Sequence, residues 1–214
     1  MTRSSRRPLA ALALALALAL AGCSGDPTPS APTSPAAEPP PSSPPTADPS
    51  PAPERHASSD GKVAAPRPSG DAWECEEKIA GAPEPDTTLI KCRHRDRTRF
   101  FFMMAKDYAV PAAEVRPPEG IVREVLPATY GKLFESHTIT RQEPVLYRGA
   151  AGIDLWIDAV HASIGPIRKR ERVLTRGEHV FIISAEGMPE VFDGESAAID
   201  AWFAGADFAN LPAP

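Results

Sequence analysis

The sequence predicts an α+β domain over residues 71–214: an antiparallel sheet packed with a mid-chain helix and a C-terminal helix. Three observations carry that reading. Ile153, Leu155, Ile157 and Ala159 alternate with Asp154, Trp156 and Asp158, the period-2 pattern of a strand with one polar face. Ile167 to Thr175 and His179 to Ser184 flank Arg176-Gly177-Glu178, a hairpin turn in which Gly177 supplies a positive φ. Ile199, Trp202, Phe203 and Ala206 recur at helical spacing, a helix laid on a sheet, with Asp193 as its N-cap.

The other elements follow in chain order. Trp73 to Ile79 and Thr88 to Arg93 are two strands around the turn Gly81-Ala82-Pro83-Glu84-Pro85-Asp86. Phe100-Phe101-Phe102-Met103-Met104 is a short apolar run bounded by charges, which predicts a buried strand. Ile121, Val122, Val125, Leu126, Tyr130, Leu133 and Phe134 are spaced as on a helix. Pro127 lies inside that pattern, so a kink or two short helices are expected. A span of 144 residues suits one ordinary core. Its 17 Lys and Arg against 23 Asp and Glu leave it acidic, which argues against a nucleic-acid partner.

Ahead of the domain the composition changes twice. Leu9 to Ala21 is an alternating Leu–Ala tract of 13 residues behind Arg3, Arg6 and Arg7. As a helix it covers roughly 20 Å, short of a hydrocarbon core of about 30 Å. A charged start, a short apolar core and small residues at its end form an export signal, here residues 1–22. Leu20-Ala21-Gly22-Cys23 resembles the lipobox of bacterial lipoproteins. In that family the cysteine sulfur receives a diacylglycerol, the signal is cut before it, and the new amino terminus is usually acylated. The resemblance implies lipidation at Cys23 and a membrane-lipid anchor, with the domain facing the periplasm or the cell exterior. Ser24 after the cysteine leaves both the cell membrane and the outer membrane open as destinations. Residues 24–70 hold 14 of the 26 prolines, one Val and no Leu, Ile, Phe, Trp or Tyr. Residues 23–70 therefore read as a lipidated cysteine followed by a disordered Pro-rich linker.

The domain also resembles the PsbP/Mog1-like sandwich. The likeness rests on the order of hairpin, mid-chain helix, antiparallel strands and C-terminal helix. Most of it lies in Arg172-Val173-Leu174, Gly177, Val180-Phe181-Ile182-Ile183, Pro189, Phe192 and the Ile199–Phe203 helix. Members of that fold include bacterial lipoproteins and photosystem assembly proteins, so the resemblance implies a binding or assembly factor rather than an enzyme. It transfers no functional residue, because no family motif is matched.

The chemistry legible in the chain is sparse. There is no GxSxG elbow, HExxH, P-loop or Gly-rich dinucleotide turn. His94, His137, His161 and His179 stand singly, so no metal site and no cofactor are expected. Asp154 and Asp158 on one strand face lie about 13 Å apart, beyond the span of a glycosidase carboxylate pair. They read as solvated charges, and Asp154 with Trp156 as a minor candidate for a carbohydrate-contacting face.

Two pairings are specific enough to test. A hairpin centred between Pro83 and Glu84 pairs positions whose numbers sum to 167, which places Cys75 opposite Cys92. With Cys23 consumed by lipid and the chain exported, a Cys75–Cys92 disulfide is expected. Alternation also gathers Arg168, Arg170 and Arg172 on one strand face, a candidate site for an anionic envelope component or an acidic protein. Lys91, Arg93, Arg95, Arg97 and Arg99 alternate upstream in the same way. The sequence thus points to a membrane-anchored, non-enzymatic binding or assembly factor of the envelope, with a hydrolase acting on cell-wall polymer or lipid as the alternative.

Overall fold

The computed structural model describes residues 54–81, 86–96 and 98–212. All of the described residues belong to one compact unit. Cys23, the export signal and most of the Pro-rich segment lie outside the described residues.

This unit is an α+β domain built on a seven-stranded sheet. Its strands are β3 (Trp73–Ala80), β4 (Thr87–His94), β5 (Phe101–Ala109), β6 (Ser136–Tyr147), β7 (Ala150–His161), β8 (Gly165–Arg176) and β9 (His179–Gly187). They run in the order β3-β4-β5-β9-β8-β7-β6, each neighbour antiparallel. A second, three-stranded sheet joins β1 (Arg55–Ala57), β2 (Val63–Pro66) and β10 (Asp207–Phe208). The expected strands are all present. Gly177 takes a φ of 57° in the two-residue turn that pairs Arg176 with His179.

One face of the large sheet is sealed. Ile90, Cys92, Met103, Phe181 and Ile183 point from it into a core completed by Val63, Ala65, Ile199, Trp202 and Phe203. The last three come from α4 (Ser196–Gly205), which follows α3 (Pro189–Gly194). Trp202 is 1% exposed, and its indole N–H donates to the Met104 carbonyl at 3.2 Å. Asp193, expected as the N-cap, lies inside α3 instead. Pro189 opens that helix, where its missing N–H costs nothing, and the Asp193 carboxylate is taken by Arg168.

The opposite face is covered only in part. Ile153, Leu155, Ile157, Ile167 and Val173 pack against Ile121, Val122, Leu126, Tyr130 and Phe134. These belong to α1 (Pro118–Gly120), a π-helical turn (Ile121–Val125) and α2 (Leu126–Leu133). Pro127 is the second residue of α2. It can donate no N–H to the preceding turn, and the wide π turn relieves its ring without breaking the helical path.

The expected boundary at residue 71 is corrected by β1 and β2. Val63 and Ala65 are fully buried, and Pro66 lies so close to Gly205 that a Cβ there would meet Pro66 Cγ at 2.4 Å. Ala and Pro bury well despite the missing large apolar side chains, so composition placed this segment in the linker wrongly. The strand β6 went unread because its polar residues, Pro144 and a register shift between Ile139 and Arg141 interrupt any alternation.

Candidate functional site

The arginine row sits on the sealed face, and its charges are answered from within the domain. Arg172 grips Asp154 with Nε and Nη2 at 2.6 and 2.7 Å, and its Nη1 donates to the Phe203 carbonyl at 3.2 Å. Arg170 Nη1 donates to Asp200 at 2.9 Å, while its guanidinium lies 4.2 Å from the Phe203 ring centre. Arg168 pairs with Asp193 at 2.5 Å and Asp158 at 3.3 Å. The three share one face, as alternation requires, but that face docks the C-terminal helices through ion pairs. Asp154 is 6% exposed rather than solvated, because Arg172 closes over it. Trp156 is flanked by Arg141 and Arg170, so guanidinium groups occupy the ring that a sugar would need.

Among the upstream residues, Arg93 pairs with Glu74 and Glu76, Arg95 donates to the Trp73 carbonyl, and Arg99 reaches Glu195. Cys75 and Cys92 are directly opposite in the β3–β4 register and are joined as a disulfide. His161 pairs with Gly165 at one end of the sheet and His179 with Arg176 at the other, so they do not approach. His179 Nδ1 contacts the buried Asp107 carboxylate at 2.8 Å, and Asn210 donates to its other oxygen. This cluster, unread in the sequence, fastens the segment after β10 to the sheet. No group of metal-ligating side chains is present among the described residues.

The accessible site is on the other face. The 118–133 helical segment covers β7, β8 and part of β9, and leaves the β3–β4–β5 side open. Cross-strand register lays this open face out in rows. One runs Glu74, Arg93, Phe102, Glu186, Lys169; the next Glu76, Lys91, Met104, Ser184, Glu171; the third Lys78, Leu89, Lys106, Ile182, Val173. Where the helix stops, a cleft of about 640 Å³ remains, walled by Phe100, Phe102, Met104, Leu89, Leu133 and Phe134. Leu133 at its rim is 49% exposed.

A buried charge cluster forms one wall of the cleft. Lys169 Nζ lies 2.8 Å from Glu171 and 3.3 Å from Glu186, and the Tyr130 hydroxyl donates to Glu171 at 2.9 Å. Burial opposes the charge of Lys169, yet Glu171 and Glu186 hold its ammonium above the ordinary lysine range. Burial, joined by the negative charge of Glu171, pushes the Tyr130 phenol far up. One ammonium is set against two carboxylates, and these contacts lock the groups in place. The alternation Ile167, Lys169, Glu171, Val173, which sets charges among core positions, was the sequence signal for them.

His161 also lines the cleft. Its Nδ1 accepts the Ser163 main-chain N–H at 3.2 Å, and the Ser163 hydroxyl lies at the same distance. That contact belongs to the turn after β7, and no carboxylate lies within ion-pair distance of the ring among the described residues. It orders the turn without assembling a charged relay.

No family model matches this chain, and no curated protein does. Solved structures do. The solution structure of cyanobacterial PsbP (CyanoP) from Synechocystis sp. is 9% identical over 72% of this chain and 91% of its own, with a TM-score of 0.52. The crystal structure of a Pseudomonas aeruginosa protein of unknown function is 12% identical over 75% of this chain and 97% of its own, with a TM-score of 0.43. The likeness to CyanoP is one of fold: the domain has a PsbP-like fold.

Proposed function

We propose that this chain is a membrane-anchored envelope lipoprotein that acts by binding rather than by catalysis. The anchor is the Cys23 lipid, and the binding surface is the half-open sheet face beside α2. The observation that carries the reading is the state of the cleft's charged wall. Lys169, Glu171 and Glu186 satisfy each other and Tyr130, which suits a rigid recognition wall better than proton transfer. The basic start and the Leu20-Ala21-Gly22-Cys23 ending support the anchor, and the PsbP-like fold agrees with a binding module. The Arg168–Arg170–Arg172 row drops from this proposal as a surface, since its guanidinium groups hold α3 and α4.

Two experiments test the reading. Metabolic labelling with a fatty-acid probe marks the wild type and not Cys23→Ser; equal labelling of both removes the anchor. Crosslinking in intact cells yields a defined adduct through the open face, and His161→Ala leaves that adduct unchanged. Turnover of an envelope polymer or lipid that His161→Ala abolishes would establish the hydrolase instead.

A further inference from the structure

Arg93 and Lys169 each hold two carboxylates of the open face, whereas three of its lysines hold none among the described residues. Glu74 and Glu76 face Arg93, and Glu171 and Glu186 face Lys169. Lys78, Lys91 and Lys106 have no carboxylate within ion-pair distance among the described residues. Lys91 lies over the Phe102 ring at 4.1 Å and Lys106 over the Tyr108 ring at 4.5 Å. Lys78 and Lys106 flank Leu89 in a single cross-strand row, so two like charges stand two strands apart, about 9.5 Å, on the same face. Burial lowers the Lys106 pKa from its ordinary value, and the charge of Lys78 lowers it further. The cleft begins beside this row: Lys78, Lys91 and Leu89 line it with Glu76 and Glu77 at the same edge, Lys169 and Glu186 lie deeper, and Phe100, Phe102, Met104, Leu133 and Phe134 make an apolar wall. One row in, the Ser184 hydroxyl is fully buried and has no hydrogen-bond partner among the described residues.

From this arrangement we infer that the cleft takes a single-chain acyl anion, of the fatty-acid class. This rests on the reading of the open face as the binding surface and names what it binds. Roughly 300–1,000 Å³ is the range of small-ligand pockets, and the cleft volume falls within it. The acyl chain lies along the phenylalanine and methionine side chains, excluding water from them. The carboxylate sits at the edge of the cleft between Lys78, which lines it, and Lys106, which lies beyond Leu89 in the same row, and there it relieves their mutual repulsion. A neutral chain gains only the first interaction and a small anion only the second.

The test is a calorimetric titration of the full chain with palmitate below its micelle concentration, beside hexadecanol, acetate and phosphatidylglycerol vesicles. Palmitate saturates one site, hexadecanol binds about tenfold or more weaker, and acetate gives no heat. Lys78→Gln/Lys106→Gln weakens palmitate about tenfold and leaves hexadecanol unchanged, while Leu133→Gln weakens both. Unchanged thermal melting of both variants separates these losses from misfolding. Absence of palmitate binding, equal binding by the double variant, or binding confined to vesicles overturns the inference, the last assigning the lysines to a membrane surface. An intact-cell adduct through the open face without palmitate binding would leave the binding reading standing and remove only this ligand.

Discussion

The two faces of the sheet carry similar chemistry and use it in opposite ways. Each bears a row of cations, and each packs against helices. On the sealed face, Arg168, Arg170 and Arg172 meet Asp193, Asp200 and Asp154, so the charges become struts between β8, β7 and the C-terminal helices. On the open face the helical segment ends early, and Lys78, Lys91 and Lys106 remain without acidic partners among the described residues. The difference teaches that a row of like charges identifies a strand face, whereas the covering element decides whether that row is structure or surface.

The contrast is broken most severely by damage to the sealed face. Trp202→Ala should cost about 3–5 kcal/mol, since it empties a fully packed site, and urea unfolding measures this. Leu133→Gln, on the rim of the open face, should stay within about 0.5 kcal/mol in the same assay. Equal losses would mean that both faces are core. Asp154→Ala should approach the larger figure, because it strands the buried Arg172 guanidinium. Arg168→Gln should change stability by less than about 1 kcal/mol, since its side chain is 38% exposed and its pairs are screened.

The disulfide sharpens the comparison from the side, because it ties the strand at the edge of the open half. Reduction, or Cys75→Ser/Cys92→Ser, should cost about 3 kcal/mol on the chain-entropy account for a loop of this size. Differential melting with and without reductant checks it.

The charge cluster gives a smaller, pH-dependent effect. Tyr130 and Lys169 both have raised pKa values in the folded protein, so the folded state keeps protons that the unfolded chain releases. Their contribution is complete below the unfolded values of about 10 and 10.4, and is lost as pH rises through the folded ones. Stability should therefore fall above about pH 10, by about 1.4 kcal/mol per pH unit for each such group. Tyr130→Phe should flatten that slope, and an unchanged slope would place the proton release elsewhere.

Much of the fold was legible because its signals are local. Alternation along Ile153–Ala159, the Gly177 turn and the Ile199–Ala206 spacing each depend on a few neighbours, and the hairpin arithmetic placed Cys75 opposite Cys92. The small sheet was not legible, since Val63-Ala64-Ala65-Pro66 is buried by contacts with α4 and β10 rather than by its own hydrophobicity. The cleft was hidden for a related reason. It exists because a helical segment ending at Leu133 is too short for a seven-stranded sheet, which no single stretch of sequence records. The arginine row was correctly placed on one face, but its acidic partners Asp193 and Asp200 come from helices 25 and 30 positions away.

The most direct test places a photo-crosslinking residue at position 89 on the open face and, separately, at position 158 on the β7 surface facing Arg168, in cells expressing the full chain. The account predicts a specific adduct from position 89, lost in the Lys78→Gln/Lys106→Gln background, and none from position 158. An adduct from position 158 alone would contradict it and return recognition to the arginine face.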